Sequence, residues 1–456
     1  MPAEFQHCSH CCMYSLILFI IAIFSIFETT HPVKQPIIIA YSIPRKQEPG
    51  FRQLDTMVRN VAVDNEVLLM LVDKGYYSMF MSNYIYGKMD KMPNVVVSVM
   101  DIGTYYMLKK KHIPVVFLDP AYFHGSFQDS FSDYGSSEFN FKMRMKLELV
   151  KHVLENGFNV LYADCDVTIF KNPFPFFKKY PGYSIVAQQD ETICAGFMYL
   201  RPFRNTLDFL NLVSQKLLTT DAHDQDIIVS LLPMFPLKYA LLPQNRFPSG
   251  GVFFDQYQYY WDRREDELYI FHNNYVIGKR NKELRMREMH LYVVDVDGEY
   301  SDPTRKYLTF EVADNSNLGA VLMKMVQMAN VLNRTLVLPP TRCADFTARW
   351  VWCNMCSMQP LQCYRSVLDL ANNGYRESVF FTNAKVPKDL KYEDAHNAIH
   401  RFDSRCNPAY AYRSTFPAHR QHRNPTVCHA CRGSTSYCET RFGYRQKERV
   451  LKFYSV

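Results

Sequence analysis

Two acidic residues carry the strongest chemical signal in this 456-residue chain. They lie in Leu161-Tyr162-Ala163-Asp164-Cys165-Asp166-Val167-Thr168, where an apolar run ends in Asp-x-Asp. On a strand, residues i and i+2 project from one face, so the two carboxylates are expected to point together. The carboxyl end of a sheet strand is where α/β folds bind ligands, and two carboxylates there are costly unless a cation lies between them. Hard divalent ions such as Mn²⁺ or Mg²⁺ match oxygen donors, with diphosphate oxygens and water filling the remaining positions. Such an ion would neutralise bound phosphates and stabilise a departing diphosphate. Any two surface acids can share this spacing, so the surroundings decide.

Those surroundings alternate strands with helices. Glu66 to Asp73, Val95 to Asp101 and Val115 to Leu118 read as short buried strands, and Tyr76 to Met89 and Ile102 to His112 as helices between them. The alternation implies right-handed βαβ units and a parallel sheet, whose strands are covered on both faces and so read as unbroken apolar runs. Phe141 to Asn156 reads as a further helix, ended by Gly157. Phe158 to Tyr162 is then the strand that delivers the acidic pair. A Rossmann-like, doubly wound half followed by mixed strands is expected to about Tyr300.

Four ordered blocks make the chain resemble the nucleotide-diphospho-sugar transferases of glycosyltransferase family 77, which includes plant wall xylosyl- and arabinosyltransferases. They are Glu155 to Pro173 (ENGFNVLYADCDVTIFKNP), Cys194 to Pro202 (CAGFMYLRP), Asp224 to Ile227 (DQDI) and Phe271 to Lys282 (FHNNYVIGKRNK). The resemblance spans roughly Val63 to Met289. It implies a GT-A-type fold, a metal-assisted transfer from a nucleotide-diphosphate sugar, with a uridine donor as family precedent, and retention of anomeric configuration. It also implies His272 as a third metal ligand beside Asp166 and Asp164, with Asp164 alternatively on the donor ribose. Asp224, Gln225 and Asp226 are expected to meet sugar hydroxyls or face the anomeric carbon; capping by Asp224 is the plain alternative. Asp190 is a further acid able to stabilise an oxocarbenium-like state. Lys74, Tyr76 and Asp101 are candidates for base or ribose contacts, and Lys146 for the diphosphate. Gly278 with Lys279 or Lys282 would bring a backbone N–H and an ammonium to the diphosphate, a point charge suited to phosphate, unless those lysines only meet water. Relatives favour Asn-Ser or Asn-Thr before the glycine of the second block, where this chain has Cys194-Ala195-Gly196. The loss of polar groups there bears on donor identity.

Outside the blocks, Met13 to Phe27 is apolar and uncharged, roughly 22 Å if helical. It reads as a signal anchor, with a cleaved signal as the alternative although no small-x-small site follows. The expected order is a cytosolic tail (1–12), an anchor (13–28), a stem (29–60), the transferase domain (61–300) and a Cys-rich accessory α/β domain (301–456). That arrangement makes a type II Golgi membrane protein facing the lumen, with a glycan or glycoprotein as acceptor. Eight cysteines fall between Cys343 and Cys438, and disulfides are their default in that compartment. A zinc site from Cys353, Cys356, Cys428 and Cys431, or a redox pair Cys353–Cys356, are the sharper alternatives. Asn317 to Pro340 resembles the opening helix-strand unit of fucosyltransferase-like proteins, and Asn333-Arg334-Thr335 is an N-glycosylation sequon. The net charge of +7 is modest and dispersed, and no nucleic-acid-binding motif is present. A catalytically inactive luminal binding protein that keeps the fold is the rival reading.

Overall fold

The computed structural model describes residues 49–123, 132, 135–220, 222–255, 268–311, 318–339, 368, 374–391, 399–402 and 450–455. The expected anchor and the eight C-terminal cysteines lie outside these residues. Among the described residues no helix is long and apolar enough to cross a membrane.

The main elements run α1 (Pro49–Val61), β1 (Glu66–Val72), α2 (Tyr77–Tyr86), β2 (Val95–Val99), α3 (Ile102–Lys110), β3 (Val115–Phe117), α4 (Ser137–Glu155) and β4 (Asn159–Ala163). They continue with β5 (Val167–Ile169), β6 (Ile185–Asp190), β7 (Thr192–Leu200), α5 (Arg204–Thr219), α6 (Asp224–Leu231), β8 (Tyr239–Leu242), β9 (Ile270–His272) and α7 (Lys279–Glu288). A seven-stranded sheet has the order β3-β2-β1-β4-β7-β6-β8, with β7 antiparallel to both neighbours and every other pairing parallel. Six strands therefore share one direction. The carboxyl ends of β1, β4 and β6 and the start of β7 lie along one edge, and β1 and β4 flank the point where strand order reverses. β1 and β2 are buried along their whole length, as their apolar runs required. The α4 helix starts a turn before the expected Phe141, because Ser136 Oγ accepts the Phe139 N–H at 3.1 Å.

One boundary moves. The end of the expected stem is the α1 helix, whose Phe51, Leu54 and Val58 are buried. His152 of α4 meets Asp55 at 2.7 Å and lies against the Phe51 ring. The packed domain thus includes α1 from Pro49 onward.

A second, all-parallel sheet follows, order β12-β11-β10-β14-β13, from β10 (Tyr307–Glu311), β11 (Thr335–Val337), β12 (Tyr375–Arg376), β13 (Ile399–Phe402) and β14 (Val450–Ser455), with α8 (Leu318–Val331) connecting β10 to β11. The division expected at 301 is crossed by a buried polar network centred on α7. Arg280 donates to both Glu299 oxygens at 3.0 and 2.7 Å and to the Tyr375 carbonyl at 3.1 Å. Arg287 reaches Glu299 at 2.9 Å, and Tyr300 donates to Glu377 at 2.6 Å. Burial would raise the Glu299 carboxyl, but the Arg287, Arg376 and Arg280 guanidinia hold it down to about 2.

Glu288 closes the same helix, accepting from the Ser378 hydroxyl and from the Ser378 N–H at 2.9 Å. Burial pushes its carboxyl up to about 7 against an ordinary 4.5. A raised carboxyl favours the folded state fully below the unfolded value, and that contribution disappears as pH rises through about 7. The full effect is about 3 kcal/mol at most. A Glu288→Gln variant, neutral at every pH, should melt near wild type at pH 5 and above it at pH 8. Parallel melting curves at both pH values would refute this.

Candidate functional site

The acidic pair converges by a turn and not by strand pleating. Strand β4 stops at Ala163, and Asp164 to Asp166 form a tight turn closed by the Val167 N–H to Asp164 carbonyl bond at 3.1 Å. Asn83 of α2 braces this turn. Its amide donates to the Cys165 carbonyl at 2.7 Å, and its oxygen accepts the Thr168 hydroxyl at 2.6 Å. The Cys165 thiol faces inward, donating to the Leu71 carbonyl at 2.9 Å.

The third group arrives on a two-stranded ribbon. Antiparallel pairing of β5 with β9 sets Val167 opposite His272, and the Asn273 N–H donates to the Asp166 carbonyl at 2.9 Å. His272 Nε2 then stands 3.2 Å from Asp166 Oδ1 and 3.9 Å from Asp164 Oδ2. One ligand atom from each of the three lies within 4.8 Å of the others. At octahedral bond lengths near 2.1 Å, adjacent ligands sit about 3 Å apart, so the set suits a divalent ion after small adjustment.

Two further observations support that fit. Gln188 Nε2 donates to the Phe247 and Pro248 carbonyls at 3.1 and 2.7 Å, which turns its Oε1 to His272 Nδ1 at 2.9 Å. With the proton thus placed on Nδ1, the lone pair of Nε2 faces the aspartates, the arrangement a metal-binding histidine needs. The second observation is at Gly196 on β7. A Cβ there would lie 2.4 Å from both Asp164 Oδ2 and His272 Cε1, so the ligands occupy the room that glycine leaves. Replacing Gln188 by Met should weaken Mn²⁺ binding roughly 10–100-fold, read by Mn²⁺ titration beside a thermal melt. Unchanged affinity would remove Gln188 from this role.

Charge around the trio is balanced by lysines. Lys282 of α7 reaches Asp166 Oδ2 at 2.5 Å. Burial alone would raise the Asp166 carboxyl, but Lys282 and His272 outweigh it and hold it well below the usual carboxylate range. The imidazole and the Lys282 ammonium are raised in turn, Asp166 overcoming their own burial. Lys146 of α4, fully buried, pairs with Asp224 at 2.5 Å and donates to the Ala195 carbonyl at 3.2 Å.

These groups line a cavity of about 760 Å³ at the carboxyl edge of the main sheet, within the range of small-molecule sites. Of the residues expected from sequence, Tyr76, Lys146, Asp164, Asp166, Asp190, Asp224, Gln225, Asp226, His272, Gly278 and Lys282 line it. Asp224 is buried against Lys146, Gln225 accepts the Ala195 N–H at 3.2 Å, and Asp226 is exposed.

Lys74, Asp101 and Lys279 do not line the cavity. The Asp101 carboxylate caps α3 through the Thr104 N–H at 2.6 Å and accepts the Lys74 N–H at 3.1 Å. The Lys74 side chain is exposed, and Lys279 faces Glu283 at 3.7 Å. Sequence reasoning missed Asp73 and Lys142, which pair at 2.7 Å beside Tyr76. It also missed Gln188, Asn274 and Tyr275. Asn274 donates to Asp190 Oδ2 at 2.7 Å, while burial and the Asp190 carboxylate push the Tyr275 phenol upward. Asp73 was within reach, since it ends β1 as Asp164 follows β4; the others depend on which strands pair.

The sequence profile of the nucleotide-diphospho-sugar transferases matches residues 90–286, a span that holds the acidic turn, Gly196, the Asp224–Asp226 stretch, His272 and Lys282. Three relatives extend the comparison. A β-arabinofuranosyltransferase of Arabidopsis thaliana is 25% identical over 272 residues, covering 53% of this chain and 50% of its own length. A UDP-D-xylose:L-fucose α-1,3-D-xylosyltransferase of the same organism is 25% identical over 301 residues, 59% of this chain and 77% of that protein. A UDP-galactose:fucoside α-3-galactosyltransferase of Dictyostelium discoideum is 26% identical over 203 residues, 38% of this chain and 31% of that one. The chain thus spans half the length of the first of these. By its profile match and these relatives, the segment from residue 90 to residue 286 is similar to the nucleotide-diphospho-sugar transferases.

Proposed function

We propose that this protein is a metal-dependent glycosyltransferase, moving a sugar from a nucleotide-diphosphate donor, a UDP-sugar by its relatives' names, onto a glycan or glycoprotein. The observation that carries this reading is the convergence of Asp164, Asp166 and His272 on one point, with Gly196 leaving the space and Gln188 setting the tautomer. A bound Mn²⁺ or Mg²⁺ would supply charge for the diphosphate and its departure. The chain's own groups do the rest. Asp73, Tyr76 and Lys142 line the β1 end of the cavity and receive the nucleoside side of the donor. Lys282 offers its ammonium to the diphosphate, exchanging part of its bond with Asp166. Asp224 and Gln225, held by Lys146 and the Ala195 N–H, face the transferred sugar. Retention of configuration, a type II anchor and a Golgi lumen location belong to the same proposal, supported by the family and by the apolar Met13–Phe27 stretch.

The test uses the full chain in detergent with UDP-xylose, UDP-galactose, UDP-glucose and UDP-arabinose. Mn²⁺-dependent release of UDP from one donor, abolished by chelator and restored by added Mn²⁺, is expected. No turnover and no metal-dependent donor binding would leave the inactive luminal binding protein as the better description.

A further inference from the structure

The cavity has a second end that the donor groups do not account for. Its β1 side holds Asp73, Tyr76 and Lys142. Three strand spacings away, roughly 14 Å across the sheet edge, β6 ends at Asp190 and turns into β7 through Glu191. The Asn274 to Gly278 loop between β9 and α7 lines the same end.

Two features separate these apposed loops from the rest of the surface. Among the exposed large hydrophobic side chains of the described residues, only Tyr275 (50%) and Ile277 (65%) line the cavity. Among the described non-glycine residues with positive φ, only Glu191 (55°) and Tyr275 (64°) line it. A bulky aromatic residue in the left-handed region is an outlier, and such backbone persists only where its surroundings over-determine it. Here they do. Asn274 donates to Asp190 Oδ2 at 2.7 Å, accepts the Gly250 N–H at 2.6 Å, and its carbonyl accepts from Arg285 at 2.7 Å. Gly250 is required, since a Cβ there would lie 2.2 Å from the Asn274 carbonyl oxygen. The loops hold a tyrosine ring and an isoleucine in water at the mouth of the cavity, with the Asp190 and Glu191 acids beside them.

We propose that the Asp190–Thr192 turn and the Asn274–Gly278 loop form the acceptor subsite. A pyranose lies with its C–H face on the Tyr275 ring and Ile277, and one of its hydroxyls donates to the Asp190 carboxylate. An amphipathic ring against an aromatic side chain with a polar group alongside fits a ligand that is apolar on one face and hydroxylated at its edge. Asp190 thereby serves the acceptor and not the donor sugar. This inference rests on the transferase reading, and the experiment separates the two.

Full-length protein in detergent, with Mg²⁺ and UDP, is mixed with methyl glycosides of fucose, xylose, galactose and arabinose. Saturation-transfer NMR reports glycoside binding, and a separate titration reports UDP affinity. At least one glycoside is expected to bind wild type. Tyr275→Ala should weaken it at least about tenfold and Asp190→Asn measurably, while Tyr275→Phe stays near wild type and the UDP affinity of all three changes less than about twofold. If Mg²⁺-UDP binds wild type but no glycoside does, the subsite is overturned and the transferase reading stands. If Tyr275→Ala weakens UDP as much as glycoside, the loops serve the donor and the proposal fails. Absence of Mg²⁺-UDP binding to wild type would instead remove the transferase reading.

Discussion

An Asp166→Asn protein should lose donor turnover by roughly a thousandfold or more while keeping its fold. The substitution preserves shape and removes one negative charge from beside the Lys282 ammonium and the expected cation. Asp166 is 4% exposed, faces His272 at 3.2 Å and Lys282 at 2.5 Å, and under the proposed function holds the cation. A metal ion supplies several kcal/mol of charge stabilisation in such chemistry, and each 1.36 kcal/mol is a factor of ten in rate. The substitution also leaves the partly buried Lys282 without its counter-charge, a loss below the roughly 3–5 kcal/mol of a fully buried pair. Adding Lys282→Met should restore the melting temperature without restoring turnover, which separates the two effects. The checks are electron paramagnetic resonance of bound Mn²⁺, donor hydrolysis and thermal melting. Turnover within tenfold of wild type would mean that Asp166 does not hold the ion.

Adding a single methyl group at Gly196 is expected to be nearly as damaging. A Cβ 2.4 Å from both the Asp164 carboxylate and the His272 ring overlaps two ligands at once. Neither can yield freely, because His272 is fixed by Gln188 on its far side and Asp164 sits in a turn braced by Asn83. One ligand must leave its position, so Gly196→Ala should weaken Mn²⁺ binding on the order of a hundredfold, as disturbance of a metal's supporting groups does at its upper end. Strand β7 has no positive φ at this position, so the backbone accepts alanine and the loss falls mainly on the site. Mn²⁺ titration beside a melting curve distinguishes the cases. Affinity within twofold of wild type would show that the ligands do not crowd Gly196 when metal binds.

What the sequence made legible follows from range. Unbroken apolar runs at Glu66 to Val72 and Val95 to Val99 specified buried parallel strands, because only strands covered on both faces tolerate them. The acidic pair was visible too, although the reason given for its convergence was the pleat of a strand and the actual cause is a turn. His272 came only from resemblance. The ribbon that delivers it consists of two three-residue strands, too short to leave a periodic trace. Gly196 was noticed for the polar residues missing beside it, and its real part, the absence of a side chain, depends on how β7 sits against β4. Asp101, Lys74 and Lys279 have suitable chemistry at suitable strand and helix ends, yet local caps and pairs engage Asp101 and Lys279, and the Lys74 side chain points to water. The α1 helix falls almost wholly inside the expected stem (29–60), although its Phe51, Leu54 and Val58 sit at helical spacing on one face.

The α7 helix touches both halves of the molecule. Lys282 and Arg285 reach the acidic turn and the Asn273-Asn274 segment after β9, while Arg280, Arg287 and Glu288 are matched by groups between Glu299 and Ser378. The residues that must stay together around α7 therefore extend past the boundary drawn from cysteine content. A chimera joined near residue 300 would carry every cavity-lining group and keep Glu299 against Arg280 and Arg287, yet it would take the Tyr375 carbonyl from Arg280 and Ser378 from the buried Glu288. A chain ending before Tyr375 would lose the same two contacts, and is expected to be less stable although every cavity-lining residue is intact.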